Sequence, residues 1–151
     1  MPHDTLAKYR RQSHATYYCR YHIVWVTKYR FKVLDKNMEV ALKWAIKEIC
    51  DWKEIEILEG AVMSEHVHLY LQIPPKHALS DVLKWLKGKT AERLFQKFPE
   101  LTKQYWGRHL WARGYFVSTI GITDTIIREY IQHQRQDEIS DFNDLWKNES
   151  A

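Results

Sequence analysis

Apolar and polar residues alternate most strictly over residues 65–73. Val67, Leu69, Leu71 and Ile73 fall on one side of an extended chain, and His66, His68, Tyr70 and Gln72 on the other. The pattern predicts a strand with one buried face and one polar face, ended by Pro74-Pro75. Residues 17–28, rich in β-branched and aromatic side chains and free of Gly and Pro, predict another strand. Residues 55–63 and 114–120 predict two more, with a bulge expected at Gly60. Helical periods lie between them. Met38, Ala41, Leu42, Ala45, Ile46 and Ile49 form one stripe of a helix over 36–52. Leu83, Leu86, Thr90, Leu94 and Phe98 form the inner face of a second helix over 81–98, with Ser80 as its cap and Pro99 as its stop. A last helix is predicted over 124–137, capped by Thr123 and packed through Ile126, Ile127 and Ile131.

The order is strand, helix, strand, strand, helix, strand, then an extra helix. This is the split βαβ pattern of an α+β, ferredoxin-like fold: one antiparallel sheet, two helices on one face, the other face open, plus a C-terminal helix. The apolar side of the 65–73 strand would meet the helices, leaving its histidines on the open side. A chain of 151 residues fits one domain, here 1–137, followed by an acidic tail, 138–151. The tail has Ile139, Phe142, Leu145 and Trp146 with which to dock on a partner subunit.

Charge changes the picture. The net charge of +4 conceals four blocks. Residues 1–32 hold seven Lys/Arg against one acid, and residues 80–118 hold eight against three. The stretches 33–79 and 119–151 are net acidic. Two basic blocks rich in aromatics suit a polyanion such as nucleic acid, although either block alone reads as ordinary solubilising charge. No apolar run approaches the ~20 residues of a membrane span, and residues 1–12 lack the apolar segment of a signal peptide. Cys19 and Cys50 fit reduced thiols in a cytoplasmic protein rather than a disulfide framework.

The candidate chemistry lies on the polar face of the central strand. His66 and His68 put two imidazoles side by side, and neutral imidazoles hold a divalent cation if a third ligand arrives. Most His-x-His pairs in strands are merely solvated, so the pair needs support. The last helix offers some: Tyr130 and Gln134, four apart, share a helix face. They supply a phenol nucleophile and an amide that can ligate a cation.

These residues resemble a known family. His66-Val67-His68 is similar to the His-hydrophobic-His motif of HUH endonucleases, and Tyr130 with Gln134 to the single-tyrosine transposases of the insertion sequence 200/605 group. The stretches His22–Arg30, Trp85–Lys89 and Trp111–Thr119 resemble the same group, so the likeness runs over residues 14–137. It implies an enzyme that binds DNA hairpins at mobile-element ends and cuts and rejoins single-stranded DNA, working as a homodimer. The histidine pair of one subunit would be completed by the tyrosine helix of the other. By that resemblance His66, His68 and Gln134 bind Mg²⁺ or Mn²⁺, and Tyr130 is the nucleophile that forms a 5′-phosphotyrosine. The covalent bond conserves the energy of cleavage, so no ATP is needed, and no P-loop is present. Lys28, Arg30, Lys87, Lys89, Arg108 and Arg113 are the expected phosphate contacts, with Tyr29, Trp106 and Trp111 as stacking partners. Gly121 is either a hinge for the tyrosine helix or a turn residue with positive φ.

Other readings stay open at this point. A histidine-triad hydrolase needs a third His where Tyr70 stands, and a two-histidine phosphoesterase needs a second His-x-Ser/Thr motif that is missing. A plasmid relaxase or rolling-circle initiator usually belongs to a longer chain. A domesticated hairpin-nicking relative and a non-catalytic single-strand-binding module both remain compatible with the residues.

Overall fold

The computed structural model describes residues 7–12 and 14–134, with Trp106 described through its backbone alone. Residues 135–137 of the expected last helix and the tail 138–151 lie outside the described residues. A short hairpin, β1 (Arg10–Gln12) and β2 (Ala15–Tyr17), opens the chain. The strand expected over 17–28 is shorter, and Tyr17 belongs to this hairpin instead. Arg10 ties this hairpin to the sheet by a two-pronged ion pair with Glu56, at 2.8 and 2.9 Å.

The main body is β3 (Arg20–Val26), α1 (Lys36–Trp52), β4 (Glu56–Val62), β5 (His66–Gln72), α2 (Leu79–Lys97), β6 (Phe116–Ser118) and α3 (124–134). The four long-range strands form one antiparallel sheet in the order β4-β5-β3-β6. This is the expected split βαβ topology. Asp35 caps α1 by accepting from the Met38 amide at 2.9 Å. Thr123 caps α3 as expected, its hydroxyl 3.3 Å from the Ile126 amide.

Alternation decides where the core lies. Ile23 and Trp25 of β3 and Val67, Leu69 and Leu71 of β5 turn to one face, where Leu42 and Ile46 of α1 and Leu83, Leu86 and Leu94 of α2 cover them. The other face is not fully open. Val24 and Val26 are apolar there, and α3 lies over them through Ile127 and Ile131, with Ala112 alongside. Cys19 and Cys50 are free thiols, and burial pushes the Cys50 thiol up to about 12, which keeps it protonated and inert.

Three local expectations are corrected. The irregularity in β4 falls between Ile57 and Glu59, not at Gly60. Gly60 is instead the place where β4 passes the Leu69 side chain, and a Cβ there would stand 3.1 Å from Leu69 Cδ2. Helix α2 starts at Leu79, which puts Ser80 inside the first turn, with no side-chain cap. Its buried face uses Val82 and Phe95, while Phe98 is only half-buried because its backbone (φ −126°, ψ 76°) has already left the helix.

Candidate active site

β5 places His66 and His68 on the face away from α1 and α2, on the side covered in part by α3. His66 Nδ1 lies 2.8 Å from the Glu65 carboxylate. Donation from Nδ1–H to that carboxylate fixes the tautomer and leaves Nε2 with its lone pair available for a metal ion. Burial pushes the Glu65 carboxyl up. Hydrogen bonds from Ser64 and His66, with the electrostatic influence of His66 and Lys32, more than offset this and hold it below the usual range. Glu65 therefore stays ionised beside His66.

His68 is flanked differently. Its Nε2 lies 3.3 Å from Nδ1 of His22 on β3. The His22 ring lies flat on Tyr70, 4.1 Å between centroids and 2° between planes. Burial, then the proximity of His22 and His66, lowers the proton affinity of His68, with Glu59 and Asp124 opposing. Neutral imidazole is the form that ligates metals. Sequence reading gave His22 no role in the site. It shares a face with Val24 and Val26, so its side of the strand was readable. Its place beside His68 follows from the register, in which His22 pairs with Tyr70 and Val24 with His68.

Tyr130 sits over the same face. Its ring packs on Phe116, 5.7 Å between centroids, beside Val24, Val26, Ile127 and Ile131. Phe116, Val24 and His68 occupy one rank across β6, β3 and β5. Phe116 is thus two strand spacings, roughly 10 Å, from the His68 backbone. The α3 residue whose charge reaches His68 is Asp124. Gln134 is ten residues further on, about 15 Å along the axis, with its amide against Gly114. Within one chain, Gln134 thus lies toward the β6 side and away from the histidine pair. Among the described residues, no group of three His, Cys, Asp or Glu is disposed to hold a metal ion. A metal on the two imidazoles needs a further donor.

The two basic blocks meet beside this site. The Lys28 amide donates to Leu110 O at 2.8 Å, and Thr27 bridges to Trp111. The Thr27 amide also donates to Glu65 O at 2.9 Å, which ties the basic turn to the residue next to His66. In that turn Tyr29 and Arg30 have φ of 61° and 57°, a left-handed conformation that side chains adopt at a cost of about 1 kcal/mol or more each. Tyr29 is 44% exposed, with the Lys28 ammonium 5.4 Å from its ring centre. Lys89, Arg108 and Arg113 are exposed. Lys87 donates to the carbonyls of Ala112 and Gly114, both at 2.8 Å, and burial lowers its proton affinity. Much of its hydrogen-bonding capacity therefore holds the 112–114 loop on α2. Trp111, expected to stack on a base, is a core side chain instead. Its indole N–H points to Lys87 O and Thr90 Oγ1, and its ring meets Trp25 edge-on. The Trp106 side chain lies outside the described residues.

The family model for IS200-like transposases matches residues 15–134. The chain belongs to the IS200-like transposase family. The transposase of insertion sequence element IS200 from Salmonella typhimurium is 36% identical over 126 residues, 83% of each chain. The ISDra2 transposase TnpA of Deinococcus radiodurans is 36% identical over 123 residues, 81% of this transposase and 88% of that one. Among solved structures, one from Deinococcus radiodurans assigned as a transposase superposes with a TM-score of 0.76 at 36% identity, covering 83% of this chain and 97% of the other. A REP-associated tyrosine transposase bound to a REP hairpin shares the fold, with a TM-score of 0.51 at 16% identity, over 82% of this chain and 68% of that one. No described helix of this transposase is long and apolar enough to cross a membrane.

Proposed function

We propose that this transposase cleaves and rejoins single-stranded DNA at hairpin-bearing element ends through a 5′-phosphotyrosine on Tyr130. The observation that carries the reading is the placement of Tyr130 over the same sheet face as His66 and His68 in a chain of transposase family. The residues fit a divalent cation. His66 is oriented by Glu65, His68 is held neutral, and Gln134 is an oxygen donor on a helix covering that face. A Mg²⁺ or Mn²⁺ ion bound there would withdraw charge from a nonbridging phosphate oxygen. The Tyr130 oxygen, deprotonated, bonds to phosphorus. The bond from phosphorus to the 3′ oxygen breaks, and the departing 3′ oxygen takes up a proton. A second 3′-OH reverses the step and joins new ends.

Because the Gln134 amide lies against Gly114, toward the β6 side, one chain's helix does not bring it to its own histidine pair in this arrangement. We assign the missing donor to α3 of a second copy in a homodimer. The link is Gly121, which does not have the positive φ that one sequence reading allowed, and where a Cβ would meet nothing within 4 Å. A glycine that neither backbone strain nor crowding requires is consistent with a hinge. Lys28, Arg30, Lys89, Arg108 and Arg113 would bind phosphates, with Tyr29 stacking on a base. The hairpin bound by the REP-associated relative is the precedent for a folded single strand as ligand.

The test is a covalent adduct that survives SDS. Wild type incubated with hairpin-bearing single strands in Mn²⁺ should form it. Tyr130→Phe should bind the same strands and form none. Absence of any wild-type adduct would leave a single-strand-binding module as the better account.

A further inference from the structure

A groove of about 400 Å³ lies between α2 and the 106–111 turn. Ala91, Phe95, Leu110 and Trp111 give it an apolar floor, with Lys87 and Arg108 among its lining cations. Glu92, the acid of its lining, faces Lys89 at 3.8 Å. Nothing in the proposed chemistry uses this floor.

The chain itself carries a segment that matches it. Residues 136–146 contain Asp137, Glu138, Asp141 and Asp144 with no Lys or Arg, and Ile139, Phe142, Leu145 and Trp146 at spacings of three and four. The start of this segment is close to the groove. The Gln134 amide lies against Gly114, and the Gly114 carbonyl accepts from Lys87 at 2.8 Å. Five residues from Gln134 to Ile139 reach at most roughly 17 Å extended. The groove along α2, from Lys87 to Phe95, is about 12 Å long.

We propose that this groove receives the chain's own C-terminal segment, residues 135–151, apolar side chains on the floor and acids on the exposed Arg108. Charge and proximity favour the same chain over a second copy. If the phosphate assignments above hold, the docked tail occupies Arg108, a cation that DNA needs, and DNA must displace it. The docking itself does not depend on that reading.

A photocrosslinker tests it in the full chain without DNA. Phe142→p-benzoylphenylalanine should cross-link within one chain to 88–95 or 108–111, with a yield independent of protein concentration. Arg108→Glu, at an exposed position, should lower that yield about tenfold, because it sets a carboxylate against the acidic segment. Asp141→Lys with Asp144→Lys should do the same while leaving every residue that lines the groove unchanged. Cross-links mainly between copies, or to other surfaces, or insensitivity to both charge reversals, would overturn the proposal.

Discussion

Glu65 and His68 show how single residues prepare this site. The Glu65 carboxylate orients His66 through a 2.8 Å contact with Nδ1. Removing its charge in Glu65→Gln should weaken Mn²⁺ binding about 10- to 100-fold, the usual scale for a carboxylate behind a ligating imidazole, as read by calorimetry. His68 bears on stability. Its folded-state proton affinity lies below the ordinary value of 6.5, chiefly through burial. The unfolded chain therefore takes up a proton first as the pH falls. The stability contributed by neutral His68 is fully present above about pH 6.5 and is lost progressively below it. Urea midpoints at about pH 7.5 and about pH 5.5 should separate less in His68→Gln, which has no proton to gain. An equal separation in both proteins would remove His68 as the cause.

At the scale of elements, α3 and its link decide what the histidines can meet. Val24 and Val26 need cover, and Ile127 and Ile131 provide it, which seats the helix on the sheet face that carries the site. Gly121 makes no contact that a methyl group would disturb. Gly121→Ala should therefore fold and bind DNA as wild type does. Gly121→Pro stiffens the link and should retain DNA binding while strand transfer falls, measured as rejoined product per cleaved end. Equal loss of binding and transfer would count against a hinge. Periodicity read most of these elements well: α1 spans the residues its apolar stripe predicts, and Thr123 caps α3. It failed where local geometry overrides the period, as at Phe98, whose backbone turns away before the stripe reaches it.

At the scale of the whole molecule, the question is which chain completes which site. Tyr130→Phe protein and His66→Ala/His68→Ala protein should each be inactive. Mixed and allowed to exchange subunits, they should regain adduct formation, since one composite site then has intact histidines from one chain and an intact tyrosine from the other. No recovery would place both halves in one chain, reached by movement of α3 from its present position. The two basic blocks converge for a similar long-range reason. Lys28 and Leu110 are joined by a backbone hydrogen bond across 82 positions of sequence, and the neighbouring Thr27 amide donates to Glu65 O, so the two blocks meet at the turn beside Glu65.

The alternation in β5, the helical stripes and the spacing of Tyr130 and Gln134 are properties of neighbouring residues, and the sequence alone determined them. It also determined the family resemblance and the strand order compatible with it. Strand register decided the rest. Register set His22 beside His68 and placed Phe116 in the same rank. Packing buried Trp111, because a tryptophan beside Thr90 and Trp25 gains more from the core than a basic loop's composition suggests. These pairings join residues far apart in the chain, and only the closed sheet brings them together.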